Sequence, residues 1–220
     1  TGVIGWNFSM KDTRGGEVDY TVDRLGGVDD EIMGGTGKVR RPAQHHLALN
    51  YNTEQSGLLR SSFYAQVYTG VYTGTGQEWY MESGLYPSER FTAVLSADYF
   101  LSPDELLWQG SNLLGTFDYE QEVLRLNLAW FPAAHQELRL KFQWTAASGD
   151  ARQAYRAGNN GDLVASNDLV DDFSFTSTAL QLRYKYELAP LSDVFVVYSH
   201  GGDDFKFETE RNLGNAFRRG

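Results

Sequence analysis

Apolar and polar residues alternate one by one along stretch after stretch of this chain, and a period of two is the signature of β-strands with two unlike faces. Ile4, Trp6, Phe8 and Met10 alternate with Gly5, Asn7, Ser9 and Lys11. Val18, Tyr20 and Val22 alternate with Asp19 and Thr21, and Leu47, Leu49 and Tyr51 with Ala48 and Asn50. Further on the same pattern carries Phe63–Val67, Trp79–Met81 and Phe91–Tyr99. It is cleanest in Leu124–Trp130, Leu138–Trp144 and Leu180–Tyr186, while Val194–Tyr198 is apolar on both faces. About ten strands are expected, most of them 8–12 residues long, with no competing helical period.

The connections sharpen this. Short turns are expected at 12–16, 53–57, 86–89, 132–136 and 188–193, and longer loops at 23–44, 69–76, 101–118, 147–173 and 201–220. Short and long alternate, which puts every long loop at one end of the strands. A membrane β-barrel has that asymmetry, with short turns on one side and long loops on the other. The expected fold is therefore a transmembrane antiparallel up-and-down β-barrel of about ten visible strands. The alternative is a soluble β-sandwich in which the same aromatics form the core, with exposed Trp and Tyr able to stack on sugars.

Composition is compatible with a barrel. The chain has 220 residues, 14% of them aromatic, with 13 Tyr, 13 Phe and 5 Trp. A mean hydropathy of -0.43 is no objection, because only every second strand residue of a barrel faces lipid. No run of about 18 apolar residues provides a transmembrane helix. The absence of Cys excludes disulfides and thiolate metal sites, and a net charge of -10 argues against nucleic acid as a partner.

If the apolar faces meet lipid, the opposite faces line the interior. The charged residues expected there are Arg60, Glu78, Glu82, Asp98, Arg125, Arg139, Lys141, Arg183 and Lys185. They form either a charged pore wall that attracts solutes or a salt-bridge network bracing the inside of the barrel; the second is the blander expectation. The aromatics Tyr51, Tyr99, Trp130, Trp144 and Tyr186 end apolar runs and are the expected interfacial girdle, with Trp130 and Trp144 flanking one short turn.

Reactive constellations are few. The acidic groups Asp29-Asp30-Glu31, Asp171-Asp172 and Asp203-Asp204 are at best weak Ca²⁺ ligands, lacking EF-hand spacing. His45 and His46 are adjacent and so face opposite ways on a strand; His135 and His200 stand apart. No Ser lies in a Gly-x-Ser-x-Gly elbow, and Gly34-Gly35-Thr36-Gly37-Lys38 lacks the phosphate-loop spacing and reads as a flexible outer loop. Glu78 and Glu82, four apart on one strand face, would lie about 13 Å apart, too far for paired glycosidase carboxylates. No enzyme, metal site or cofactor is expected.

Two stretches carry a resemblance: Gln136-Glu137-Leu138-Arg139-Leu140-Lys141-Phe142-Gln143-Trp144, and Arg183-Tyr184-Lys185-Tyr186-Glu187-Leu188-Ala189-Pro190-Leu191-Ser192-Asp193-Val194-Phe195-Val196-Val197-Tyr198. With Tyr86-Pro87-Ser88-Glu89-Arg90, this resembles the C-terminal barrel of a Gram-negative outer-membrane family of unknown function, in which the barrel follows a family-9-like carbohydrate-binding domain. The resemblance implies a bacterial outer-membrane location and a single barrel segment over 1–220. It also implies strands missing before Thr1 and a closing strand after Gly220, since neither the sugar-binding-like domain nor a terminal aromatic strand is present. The family has no settled catalytic or binding residues to carry over. The expected role is porin-like transport or surface uptake with a link to carbohydrate, with membrane lipid, a solute or glycan and an outer-membrane protein as partners. The other role is a barrel anchor that binds another protein through its long loops.

Overall fold

The structure, a computed structural model, describes residues 2–11, 14–23, 28–53, 56–69 and 74–207. It is all β and without helix among these residues. The strands are β1 (Gly2–Ser9), β2 (Gly15–Asp23), β3 (Val28–Asp29), β4 (Val39–Arg40), β5 (Gln44–Asn52), β6 (Leu59–Thr69) and β7 (Thr75–Ser88). They continue as β8 (Phe91–Gly110), β9 (Leu113–Trp130), β10 (Gln136–Ala157), β11 (Leu163–Ser166), β12 (Phe173–Ala189) and β13 (Ser192–Lys206). Ten of them form an antiparallel meander, β1-β2-β5-β6-β7-β8-β9-β10-β12-β13, and β11 joins beside β10 to make an 11-stranded sheet. The small β3–β4 hairpin stands apart. Neighbours in sequence are neighbours in space throughout, as an up-and-down sheet requires.

The sheet is not closed. Among the described residues β1 pairs only with β2, and β13 only with β12. The up-and-down sheet agrees with the alternation; the closed wall is not part of what is observed.

Two expected long loops are instead strand. The segment 101–118 is the top of a tall hairpin: β8 runs on to Gly110, β9 starts at Leu113, and Ser111-Asn112 is the whole turn, with Gly110 and Ser111 at φ 106 and 49. Likewise 147–173 holds eleven residues of β10 and all of β11, and β13 continues to Lys206. Polar, glycine-rich sequence reads as loop, but two strands that pair with each other above the apolar zone need no apolar face to form. The expected loop at 69–76 falls largely outside the described residues, as does the chain beyond 207.

Register gathers the apolar faces onto one side. Tyr51, Phe63, Met81, Ala97, Leu124 and Trp144 stand opposite one another in a row across six strands. Ile4, Trp6, Val18, Tyr20, Leu47 and Leu49 continue the same face at one edge, and Leu182, Tyr184, Val196 and Tyr198 at the other. A one-residue slip anywhere would turn a strand's apolar set to the wrong side. Among the described residues no second layer covers this face: Ile4 is 70% exposed, Trp6 77%, Leu47 53% and Val196 60%. Isolated exposed apolar residues are ordinary, but a continuous face of ten strands is not.

The same register measures the lean of the strands. Counted from the Tyr51–Leu124 row, the last pair of uninterrupted ladder before a short turn lies one residue on at Ser9↔Gly15, one at Asn52↔Ser62, six at Trp130↔Leu138 and nine at Glu187↔Asp193, after which a bulge leads to Ala189↔Ser192. The drift is about one residue per strand. With ~3.3 Å per residue and ~4.8 Å between strands, bringing these turns to one level inclines the strands by roughly 35°, within the range of barrels. On that incline His45, Gln77, Glu122 and Thr178, the polar residues that end the apolar face on alternate strands, share one level about eight or nine residues above the turns. The apolar band is then roughly 23 Å tall, against about 25 Å for a membrane barrel.

The buried core is small and sits above this band. Met33 and Val39, from the segment between β2 and β5, pack on Leu106 and Leu114 of the tall hairpin, with Ile32, Ala157 and Leu163 around them. This strap is tied down where Arg40 N donates to Gly161 O at 2.7 Å and Arg40 meets Asp162 at 3.1 Å. The glycine run within it forms a hydrogen-bonded turn: Gly34 and Gly35 take φ 59 and 77 and donate to Glu31 O and Asp30 O.

Candidate functional site

The polar face of the sheet collects the chemistry. Strand parity puts all nine charged residues singled out above on it. Arg60 stands opposite Gly84, Glu78 opposite Gln66 and Phe100, Glu82 opposite Ser96, and Asp98 opposite Val123. Arg125 stands opposite Gln143, Arg139 opposite Arg183, Lys141 opposite Gln181, and Lys185 opposite Glu137. Apart from Arg60 on β6 and from Glu137, Glu187 and Asp193 among the basic strands, the face is divided by sign. Glu17, Asp19, Glu78, Glu82 and Asp98 lie on β2 to β8, and Arg125, Arg139, Lys141, Arg183 and Lys185 on β9 to β12. The halves meet at the β8–β9 seam, where Arg125 pairs with Asp98.

Much of this charge is held locally. Arg139 pairs with Glu137, and Lys185 Nζ lies 2.9 Å from Asp193. The Arg183 guanidinium sits 4.6 Å from the Phe195 ring centroid and that of Arg60 4.2 Å from Tyr86, both at cation–π distance. Among the described residues Glu78, Glu105 and Lys141 form no ion pair.

A second pattern went unread in the sequence. Residues i and i+2 share a strand face, and tyrosines use this to donate along their own strand: Tyr80 to Glu82 at 2.8 Å, Tyr119 to Gln121 at 2.7 Å, and Tyr64 to Gln66. The signal is Tyr-x-Glu/Gln, visible once the strand is assigned. Rings also run across the sheet. His46, Tyr68, Phe100, Tyr119, Phe173 and Phe205 follow one another at centroid separations of 5.8–6.3 Å.

Several rings lie flat on a cross-strand glycine. Tyr68 covers Gly76 and Phe173 covers Gly149, each pair directly opposite in the ladder. A Cβ on Gly149 would come within 2.4 Å of the Phe173 ring, and that ring is itself held between Phe117, Tyr119 and Phe205. Gly149→Ala is expected to destabilise the fold by about 1–3 kcal/mol through overpacking, read as a lower urea midpoint. An unchanged midpoint would mean the ring moves freely.

The girdle residues Tyr51, Tyr99, Trp130, Trp144 and Tyr186 all lie on the apolar face. They do not form one ring. Trp130 opposes Leu138 beside the turn, whereas Trp144 opposes Leu124 six residues away. Tyr51, Trp130 and Tyr186 therefore mark the turn edge of the band, and Tyr99 and Trp144 the opposite edge. Trp144 does not flank the turn, and it is packed among Leu124, Phe142 and Ala146, 6% exposed.

The weak cation ligands come apart. Asp203 and Asp204 are consecutive on β13 and so face opposite sides, with Asp204 3.0 Å from Lys206. Asp29 accepts from the Glu31 and Ile32 amides, and Asp172 from Ala151 N at 2.8 Å. His45 and His46 likewise diverge, to the Tyr20 hydroxyl and the Gln66 amide.

Above the band, Asp168 is gripped by Arg156 through Nε at 2.7 Å and Nη2 at 2.9 Å, and by the Ser166 hydroxyl. The hydrogen bond from Arg156, then that from Ser166, holds the Asp168 carboxyl below its ordinary value of 3.8. A depressed carboxyl stabilises the fold fully above its unfolded value and loses that contribution as pH falls through the folded one. Protection of the β10–β11 amides from exchange is therefore expected to hold from pH 7 down to about 4 and to fall below it, and Asp168→Asn should abolish this step. A loss already complete at pH 5 would contradict the assignment.

Chemically, a face of this kind can order water, attract ions of either sign to its two halves and hold polar solutes. Comparison with known proteins brings no relative to bear on it, since no family model, no curated protein and no solved structure matches this chain.

Proposed function

We propose that this chain is a β-barrel segment of a bacterial outer-membrane protein whose apolar face meets lipid and whose polar face lines a path for a polar solute. Its place is among the C-terminal outer-membrane barrels that its sequence resembles, and a carbohydrate-linked solute is one that those relatives suggest. One observation carries this: ten strands bring their apolar residues to a single level band that no second layer covers. In water such a face would drive aggregation, whereas in a bilayer it is satisfied as it stands. A bilayer also leaves no backbone edge unpaired, so β1 and β13 must pair with each other or with further strands when the wall is closed.

Two measurements test it. Brominated lipids should quench Trp130 and Trp79, at opposite edges of the band, and leave Trp108, on the tall hairpin, bright. Liposomes containing the full-length protein should swell in a permeant solute. A water-soluble monomer with unquenched tryptophans would overturn the membrane reading, and a folded, bilayer-inserted protein that admits no solute would overturn transport alone.

The tall β8–β9–β10 hairpins and the strap packed on them favour a second reading, an anchor that binds a partner protein above the membrane. Deleting 101–118 should then abolish co-purification of a partner while heat-modifiable gel mobility persists.

A further inference from the structure

Near the top of the polar face lies a cavity of about 180 Å³ between β5, β6, β7 and β8, roofed by Arg41 and Pro42. We propose that it binds a small organic cation carrying an ammonium or guanidinium group. The proposal rests on the polar face being open to water, as in the transport reading, and names the class of solute held there.

Charge is the first argument. Glu78, Asp104 and Glu105 line the cavity. A bulge between Ser102 and Glu105 puts one extra residue into β8, which keeps Glu105 on the polar face opposite Phe117, and Asp104 sits in the bulge at φ 60. Arg41, whose Nη1 lies 3.5 Å from Asp29 outside the cavity, is the cation that lines it, and Arg152 acts on Asp104 electrostatically. The Gln66 side chain, whose Oε1 accepts from the Tyr64 hydroxyl, lies 3.1 Å from His46 Nδ1. Glu78 and Glu105 form no ion pair among the described residues, so the cavity is short of positive charge.

The second argument is independent of charge. Tyr68 lines the cavity and is only 7% exposed, and its hydroxyl finds only the Ser102 hydroxyl, also buried, in a hydrogen bond of poor geometry. A buried hydroxyl so poorly partnered is costly, and a ligand N–H offers it a better partner. Tyr68 is stacked between His46 and Phe100, at 5.8 and 6.2 Å, so the wall beside the carboxylates is aromatic. Carboxylates beside aromatic rings are how ammonium and guanidinium groups are recognised, by charge and by the ring quadrupole together. At water's ~30 Å³ per molecule the space holds on the order of six non-hydrogen atoms, about the size of a short alkyl diamine.

The test is calorimetric titration of the folded full-length protein in detergent with cadaverine and agmatine, with glucose and glutarate as controls. Saturable binding of the two cations is expected, weakened about tenfold or more in both Glu78→Gln and Glu105→Gln, with unchanged circular dichroism. Absence of saturable cation binding, equal binding of glucose or glutarate, or affinity unchanged in both variants overturns the site. Conductance recorded on the same preparation separates the two readings. Binding without conductance keeps the site and overturns the channel, and conductance without cation binding does the reverse.

Discussion

Leu140→Arg is expected to lower stability in a bilayer by about 2–4 kcal/mol, the cost of placing arginine at the midplane on the lipid side of a barrel strand. Leu140 is opposite Leu128 and Leu182 on the apolar face, halfway between the turn edge marked by Trp130 and the far edge marked by Trp144. Its neighbour Lys141 is on the other face, opposite Asn127 and Gln181. Lys141→Leu should therefore leave insertion intact and change stability by less than about 1 kcal/mol, as surface substitutions usually do. Urea titration of the protein folded into vesicles, read by heat-modifiable gel mobility, measures both. Equal effects from the two variants would mean that the faces are not differently solvated, and the membrane reading would fall with them. The contrast is sharper than either value alone, because adjacent strand residues differ in little except the side they face.

The second large effect is expected from Phe117→Ala, at about 3–5 kcal/mol. Phe117 is fully buried, and its ring meets Phe173 edge-on at 5.4 Å, with Val170 close by over Gly115. It thus joins β9 to β12 and to the segment that returns from β11. Losing the ring leaves a cavity where three elements converge, and the surrounding strands are too constrained by their ladders to collapse into it. Hydrogen exchange should rise in β11 and in 167–173 far more than near the turn-side residues Leu138–Phe142. Uniform loosening of the whole sheet, or none, would show that Phe117 is not what holds this region. Membrane insertion is expected to survive, since Phe117 lies above the apolar band; the two predictions thus probe separate parts of the molecule.

The strands below the polar boundary were legible residue by residue. Leu124–Trp130 and Leu138–Trp144 pair in the register that their alternation demands, and Arg139 and Lys141 lie on the side opposite Leu140. The reason is local: a pleated strand alternates faces whatever it pairs with. Above the boundary the same reasoning failed. Residues 101–110 and 147–157 have no amphipathic pattern, and their strand character comes from pairing with β9. The bulges at 102–105 and 151–153 are invisible for the same cause, since one unpaired residue leaves no mark on composition. Trp144 ends an apolar run just as Trp130 does, and only the ladder to Leu124 shows which edge it marks.

By itself the amino-acid sequence determined the kind of fold, an antiparallel meander with one apolar and one polar face, because period-two alternation and the length of each connection act within a hairpin. Only the tertiary structure decided that the ten apolar faces form one level band, that the acidic and basic halves meet at Asp98 and Arg125, and that Tyr68 and the carboxylates of β7 and β8 surround a single cavity. Those depend on the stagger between strands far apart in the chain, a geometric sum over many ladders that no one segment encodes.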